Sequence, residues 1–136
     1  MAVATFLDEH PMVECVQYPG LASFAGYEIA RRDLWLVDGD EHGIAVNRFG
    51  PLLSFDVHGG HGAARRVFDR LRLVWRATDL GRVKSVATIP AISTHQQQGE
   101  EGRRLACVPS HQVRLSIGGE HPDDLIADLG RALAGA

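Results

Sequence analysis

Arg114 is the residue whose type and position most clearly suggest chemistry. It lies within QVRLSI, residues 112–117, where alternation predicts a strand with the arginine on the face opposite Val113 and Leu115. Removing a guanidinium from water is unfavourable unless a carboxylate meets it. The position therefore indicates either a structural ion pair or a site that binds an anion.

Lysine chemistry has one candidate in this chain. Of the 14 basic residues, all except Lys84 are arginines. A mechanism that forms a Schiff base between a lysine and a carbonyl group would therefore depend on Lys84 alone.

Histidines, glycines and acidic residues form weaker patterns. The seven histidines, including His58 and His61 around a glycine pair, lack the spacing of metal ligands, so we expect no metal site. The glycine-rich run 59–62 could bind an anion before a helix, but it lacks the nucleotide-binding patterns and is more typical of a strand-to-helix turn. The acidic turn 38–43 lacks the bidentate glutamate of a calcium loop.

Length and charge exclude several classes of protein. The chain has 136 residues, 45% of them hydrophobic, and a formal net charge of -3, which suits one domain over residues 1–136. No apolar run reaches the ~18 residues of a membrane span, and no basic excess suggests nucleic-acid binding. Early acidic residues argue against a secretory signal, and the distant Cys15 and Cys107 favour buried thiols. We therefore expect a cytoplasmic protein.

Short, interleaved elements must position these residues. Periodicity predicts helices over residues 2–9, 24–32 and 63–73, and a C-terminal helix beginning at Pro122. It predicts strands over 13–18, 52–57, 73–77, 83–89 and 112–117, a hairpin from 34–37 and 43–46, and an exposed loop or short helix over 95–104. These elements lack regular βαβ spacing. They predict an α+β fold, a two-layer sandwich with a mostly antiparallel sheet and helices on one face.

Four segments resemble a known enzyme family, in the family's order. QVRLSIGGEHPDDLIADLGRAL, residues 112–133, resembles the pattern LVRLSVGIEDxxDLIxDLxxAL. FLDEHPMV and VQYPGL, within residues 6–21, resemble FLxxHPxVxxVxYPGL, and FGPLLSF, residues 49–55, resembles FGGMLSFEL. ATDLGRVKSVATIPAISTH, residues 77–95, resembles AxSLGGVESLIxHPAxMTH. The family that these segments resemble is that of the Cys/Met-metabolism pyridoxal-phosphate enzymes, which includes cystathionine gamma-synthase, cystathionine gamma-lyase and methionine gamma-lyase.

The resemblance covers nearly the whole chain but only the small C-terminal domain of these fold-type I enzymes. It implies that the large domain, with its cofactor lysine and phosphate-binding loop, is absent. Lys84 matches the glutamate of GGVES and not the Schiff-base lysine. The resemblance therefore implies that the chain has no catalytic residue of its own. It also implies that pyridoxal phosphate is not bound by the chain alone and comes only through a partner that has the large domain.

Two substrate-binding positions follow from the same resemblance. Arg114 matches the family's arginine that binds the substrate α-carboxylate. Asp79 stands where the family has a serine that assists this arginine. We expect Asp79 and Arg114 to form a salt bridge that closes the ancestral site, or else Asp79 to accept a cationic group of an unusual substrate.

An insertion at residues 33–46 is the second departure from the family. It contains the apolar run Leu34, Trp35, Leu36 and Val37, which predicts a hairpin added at a sheet edge. Such a hairpin either caps the edge or contacts a partner.

Two functions from different classes remain. The first is the substrate-carboxylate-binding part of a split or heteromeric enzyme that carries out elimination or replacement on sulfur amino acids, with homodimerisation plausible. The second is a non-catalytic binding or regulatory module that kept the fold and lost the active site. A fragment of a longer protein is a third possibility.

Overall fold

The computed structural model describes residues 1–39, 45–47 and 49–136. The helices are α1 (Ala2–Asp8), α2 (Tyr27–Asp33), α3 (Gly60–Arg70), α4 (Gly99–Leu105) and α5 (Pro122–Leu133). The strands are β1 (Val13–Gln17), β2 (Trp35–Gly39), β3 (Ala45–Asn47), β4 (Leu52–Val57), β5 (Trp75–Arg76), β6 (Val86–Thr88) and β7 (Gln112–Ser116). Short 3₁₀ turns cover Pro90–Ile92 and Gln96–Gln98.

A five-stranded sheet forms the centre of the molecule, in the order β1-β4-β7-β6-β5. Every pairing in it is antiparallel except that of β5 with β6. Alternation in β4 and β7 sends Phe55, Val113 and Leu115, all fully buried, to one face. Arg114 lies on the other face, as the sequence predicted.

Helices α1, α3 and α5 cover the apolar face of the sheet. They pack on one another and, through α1 and α3, on strands β1, β4 and β7. Their buried residues sit at helical spacing, for example Leu125, Leu129 and Leu133 on α5. Pro122 opens α5, and the His121 side chain accepts a hydrogen bond from the Asp123 backbone N–H. The predicted two-layer α+β sandwich with helices on one face is confirmed.

Asp128 on α5 anchors the chain where it leaves α3. Its carboxylate accepts hydrogen bonds from the backbone N–H groups of Arg72, Leu73 and Val74 at 2.9 to 3.3 Å, and it also pairs with Arg131. The residue is only 7% exposed. Burial alone would raise the pKa of Asp128, but these hydrogen bonds outweigh it and hold the pKa below its usual value.

Three local predictions need correction. The third helix begins at Gly60 instead of residue 63, because Gly59, with a φ of +92°, caps it directly after the strand. The hairpin β2–β3 forms a separate two-stranded sheet and, within the described residues, does not extend the edge of the five-stranded one; its turn, 40–44, lies outside those residues. Cys107 is exposed and Cys15 only half-buried, so the prediction of buried thiols is wrong.

No helix among the described residues is both long and apolar enough to span a bilayer.

Asp128→Asn should destabilise the protein at neutral pH by about 2 to 3 kcal/mol, because an amide replaces a carboxylate that collects charge-assisted hydrogen bonds. The pKa of Asp128 is lower in the folded than in the unfolded chain. Its stabilising effect is therefore present above the unfolded pKa and is lost as the pH falls through the folded pKa. Urea denaturation of both proteins between pH 7 and pH 3 should show their stabilities converging in acid.

Asp124→Asn is the matched control on the exposed first turn of α5. No described residue pairs with the Asp124 carboxylate, so its interaction is that with the helix dipole, which contributes less than about 1 kcal/mol. Equal losses in the two variants would contradict the anchoring role of Asp128.

Candidate substrate-binding surface

The sheet face opposite the helices carries polar side chains in cross-strand rows. We call it the polar face. Its central row follows from the register of the strands, since residues directly opposite each other point to the same side. This row consists of Gln17, Ser54, Arg114 and Thr88.

Arg114 lies in the middle of this row and is half-buried. Within the described residues its guanidinium has no hydrogen bond or ion pair. Its neighbour Thr88 is occupied, because its hydroxyl bonds that of Ser93 at 2.8 Å. A guanidinium offers a planar fork of donors that matches a carboxylate in a bidentate arrangement. The guanidinium of Arg114 thus remains available to an anion, and no structural ion pair forms with any residue that the structure describes.

The row beside Arg114 combines polar and apolar residues. It contains Leu52, Ser116, Val86 and Trp75. Leu52 and Trp75 at its two ends are largely exposed, whereas Ser116 and Val86 between them are buried. The part of this row next to Arg114 is thus enclosed, and the exposed apolar side chains lie at its two ends.

The segment 77–85 crosses the end of this surface and is fixed by backbone contacts. The Gly81 N–H donates to the Ser116 hydroxyl at 3.2 Å, and the Gly119 N–H donates to the Val83 carbonyl at 2.6 Å. These contacts hold the segment that contains Asp79 against the C-terminal end of β7.

Glu120 and Ser85 complete this attachment. The Glu120 carboxylate accepts from the Ser85 N–H and hydroxyl, both at 2.8 Å, and the Ser85 hydroxyl accepts from the Gly118 N–H at 2.8 Å. Burial tends to raise the pKa of Glu120, but the hydrogen bonds from Ser85 outweigh it and lower the pKa. A Cβ on Gly118 would lie 2.2 Å from the Val83 carbonyl oxygen, so only glycine permits this approach.

Asp79 forms an ion pair with Arg82, three residues further along the chain. The expected salt bridge between Asp79 and Arg114 is absent from the described residues, and that hypothesis is wrong. The physical reason is that a cation on the same short segment is available to Asp79. Sequence reasoning overlooked Arg82, although the spacing of an acid and an arginine three residues apart is a usable signal.

Asp56 lies at the opposite end of the polar face, beside Cys15 and Gln112 in a third row. One of its carboxylate oxygens is buried without a hydrogen-bond partner. Burial raises the pKa of Asp56, and the charge of Glu14 adds to this, while His111 and Gln112 oppose it. Folding therefore makes ionisation of Asp56 less favourable than it is in the unfolded chain.

Two groups that the sequence raised as candidates for cofactor or anion chemistry have other contacts in the structure. The ammonium group of Lys84, in the loop that connects β5 with β6, lies 5.2 Å from the centre of the Trp75 ring in a cation–π contact. The glycines at 59–62 serve as the cap and first turn of α3. No three His, Cys, Asp or Glu side chains in the described part of the chain converge as metal ligands.

A cavity of about 170 Å³ lies between the start of α1, Tyr18, Pro51 and the start of α5. Arg114 is not among the residues that line it, and the arginine is half-buried on the polar face.

Comparison with known proteins identifies relatives over almost the whole chain. The family model described as Cys/Met metabolism PLP-dependent enzyme matches residues 1–134. L-methionine gamma-lyase from Pseudomonas putida is 39% identical over 131 residues, or 96% of this chain and 30% of the relative. O-succinylhomoserine sulfhydrylase from Mycobacterium tuberculosis H37Rv is also 39% identical, over 97% of this chain and 30% of the relative.

Solved structures show the same fold. Cystathionine gamma synthase from Xanthomonas oryzae, determined with aminoacrylate and cysteine, superposes with a TM-score of 0.84 at 37% identity. The match covers 98% of this chain and 31% of that structure. The chain therefore spans about a third of the length of the relatives that it matches.

Gly118→Ala should destabilise the protein by about 2 kcal/mol and loosen residues 79–85, because the added methyl group meets backbone atoms of Val83 and Ser85. Urea denaturation gives the stability, and amide hydrogen exchange reports on the segment. Gly119→Ala is the matched control, since its Cβ would meet nothing closer than 3.7 Å. A similar loss of protection in both variants would contradict the constraint at Gly118.

Asp56→Asn should stabilise the protein at neutral pH by about 1 kcal/mol, because it replaces an incompletely bonded carboxylate with a neutral group. The pKa of Asp56 is higher in the folded chain, so the cost of its ionisation appears as the pH rises from the unfolded pKa through the folded pKa. Thermal unfolding should therefore show the gain at pH 7 and little gain near pH 3. A gain independent of pH would contradict this explanation.

Proposed function

The chain belongs to the Cys/Met metabolism PLP-dependent enzyme family, and on that premise we propose that it is the C-terminal, substrate-carboxylate-binding domain of a cystathionine gamma-synthase-like enzyme. In this proposal the domain binds the α-carboxylate of a sulfur amino acid or an activated analogue. The complete enzyme, split between this chain and a partner, carries out elimination or replacement.

The observation that carries this proposal is that no described residue engages the guanidinium of Arg114. It lies at the centre of the polar face, between Ser54 and Thr88 on the neighbouring strands. Two parallel N–H···O bonds from Arg114 would fix both the position and the plane of a carboxylate. An amino acid held in this way has its α-carbon at a defined distance from the sheet, which is a positioning contribution to catalysis.

We assign the remaining part of the substrate site to a partner protein that has the large domain. Pyridoxal phosphate held by that partner would supply the electron sink for the reaction. Exposed apolar side chains on this part of the domain support such a partner: Leu52 and Trp75 at the ends of the neighbouring row, and Leu80 and Val83 on segment 77–85, with Val83 89% exposed. Apolar surface of this kind, beside a polar site, is typical of a protein contact.

The alternative function is a non-catalytic module that binds amino acids without the cofactor. Asp79, which pairs with Arg82, favours this alternative, because the family has at that position a serine that assists the arginine. The two functions predict different results when the chain is mixed with a large-domain protein. The first predicts elimination or replacement activity in the mixture, and the second predicts none.

The decisive experiment isolates the tagged chain from its native host, identifies the proteins that copurify and measures bound pyridoxal phosphate by visible absorption. The mixture is then assayed for elimination from L-methionine and L-cystathionine. We expect activity only in the mixture. We also expect Arg114→Gln to raise KM by about 10-fold to 100-fold, the equivalent of one or two charge-assisted hydrogen bonds.

Arg66→Gln is the matched control, because Arg66 is an exposed arginine on α3, on the other side of the sheet. Equal kinetics for the two variants would overturn the role of Arg114. Copurification of no large-domain protein, together with amino-acid binding by the chain alone, would establish the module instead.

A further inference from the structure

The cavity of about 170 Å³ lies on the helix side of the sheet, and Arg114 does not line it. Leu53 on its wall stands opposite Leu115, and both are buried beneath the helices. Apolar side chains from α1, β4, α5 and the end of β7 supply most of its surface: Val3, Ala4, Leu53, Ile117 and Leu125. An apolar cavity of about 150 Å³ binds molecules of the size of benzene. This cavity therefore has room for a small apolar ligand.

Glu120 gives this apolar cavity a negative charge. Among the described residues that line the cavity, it has the one charged side chain. Burial tends to raise the pKa of Glu120, but the hydrogen bonds from Ser85 lower it, so the carboxylate is ionised at neutral pH. Its Oε2 atom lies over Gly118, another lining residue, because an ideal Cβ on this glycine would stand 2.6 Å from that oxygen.

The Glu120 carboxylate can accept further hydrogen bonds. Its two oxygens each accept one bond at 2.8 Å, from the N–H and the hydroxyl of Ser85. An ionised carboxylate has about four acceptor positions, so each oxygen can accept again. No cation in the described part of the chain forms an ion pair with it. Tyr18, which also lines the cavity, donates its hydroxyl proton to the Gly50 carbonyl at 2.9 Å. Glu120 is therefore the group that would select a ligand by charge.

We propose that this cavity binds a small primary amine that has an apolar body and no carboxylate, the chemistry of a decarboxylated apolar amino acid. The apolar body occupies the space between α1 and α5, and the ammonium group donates to the remaining acceptor positions of Glu120. A carboxylate on the ligand would face the charge of Glu120, so amino acids bind poorly here. The inference goes beyond the proposed function and does not depend on it, because Arg114 is not part of this cavity.

The test is an NMR titration of the ¹⁵N,¹³C-labelled chain with benzylamine, benzyl alcohol and benzoate. These molecules are similar in size and carry a cation, no charge and an anion. We expect benzylamine to bind about fivefold more tightly than benzyl alcohol, and benzoate to bind more weakly than both. Intermolecular nuclear Overhauser effects from the benzylamine ring to the methyl groups of Val3, Leu53 and Leu125 should locate the ligand in the cavity.

Substitutions assign the preference to a residue. Glu120→Gln should make the affinities for benzylamine and benzyl alcohol equal. Asp124→Asn is the matched control, because it removes a carboxylate from the exposed first turn of α5, close to Pro122 on the cavity wall, without lining the cavity itself. It should leave the preference for benzylamine unchanged.

Several results would overturn this inference. Equal affinities for benzylamine and benzyl alcohol in the unmodified chain, or a preference that survives Glu120→Gln, would remove the role of Glu120. If Glu120→Gln impairs folding, the Overhauser effects decide alone: contacts of benzylamine only with residues outside the cavity would overturn the site. Absence of binding by all three molecules would overturn it as well. None of these outcomes involves Arg114, so the proposed function is tested separately by Arg114→Gln.

Discussion

The antiparallel pairing of β4 with β7 is the constraint on which the rest of this structure depends. Phe55 opposite Val113 and Leu53 opposite Leu115 place an unbroken apolar surface beneath the helices. Because side chains alternate, the same register sends Ser54 and Arg114 to the other face. A slip of one residue would turn the arginine into the core and the core residues into solvent. Burial of apolar surface thus fixes the position of the candidate site.

Two carboxylates fix the positions of segments that lie outside the sheet. Asp128 binds three consecutive backbone N–H groups between α3 and β5, and Glu120 binds Ser85 before β6. A carboxylate is suited to both places because it accepts several hydrogen bonds at once, and backbone donors in a turn otherwise go unsatisfied. Trp75 directly follows Val74, which Asp128 binds, and Asp79 lies in the segment that Glu120 holds at Ser85. These attachments therefore help to fix the positions of both residues.

The periodic patterns in the sequence predicted the structural elements correctly, whereas features that depend on a single contact were missed. Alternation around Arg114 and the apolar stripe of α5 predicted the sheet face and the helix layer correctly. The partner of Asp79 was misjudged, because a family motif identifies the equivalent position but not a new cation three residues away. The roles of Asp128 and Glu120 were missed as well. Their donors are backbone groups 35 or more residues distant, and backbone donors have no sequence signature.

The lack of a partner for Arg114 among the described residues is consistent with a stable fold. Desolvation is severe only for a charge removed from water, and Arg114 is only half-buried. This guanidinium therefore does not need a structural partner from the described part of the chain, which a fully enclosed arginine would require. An ion pair at such a position becomes stronger when a second surface excludes water from it, because the effective dielectric constant falls. If Arg114 binds a carboxylate as proposed, the strength of that interaction would therefore depend on the surface that covers it.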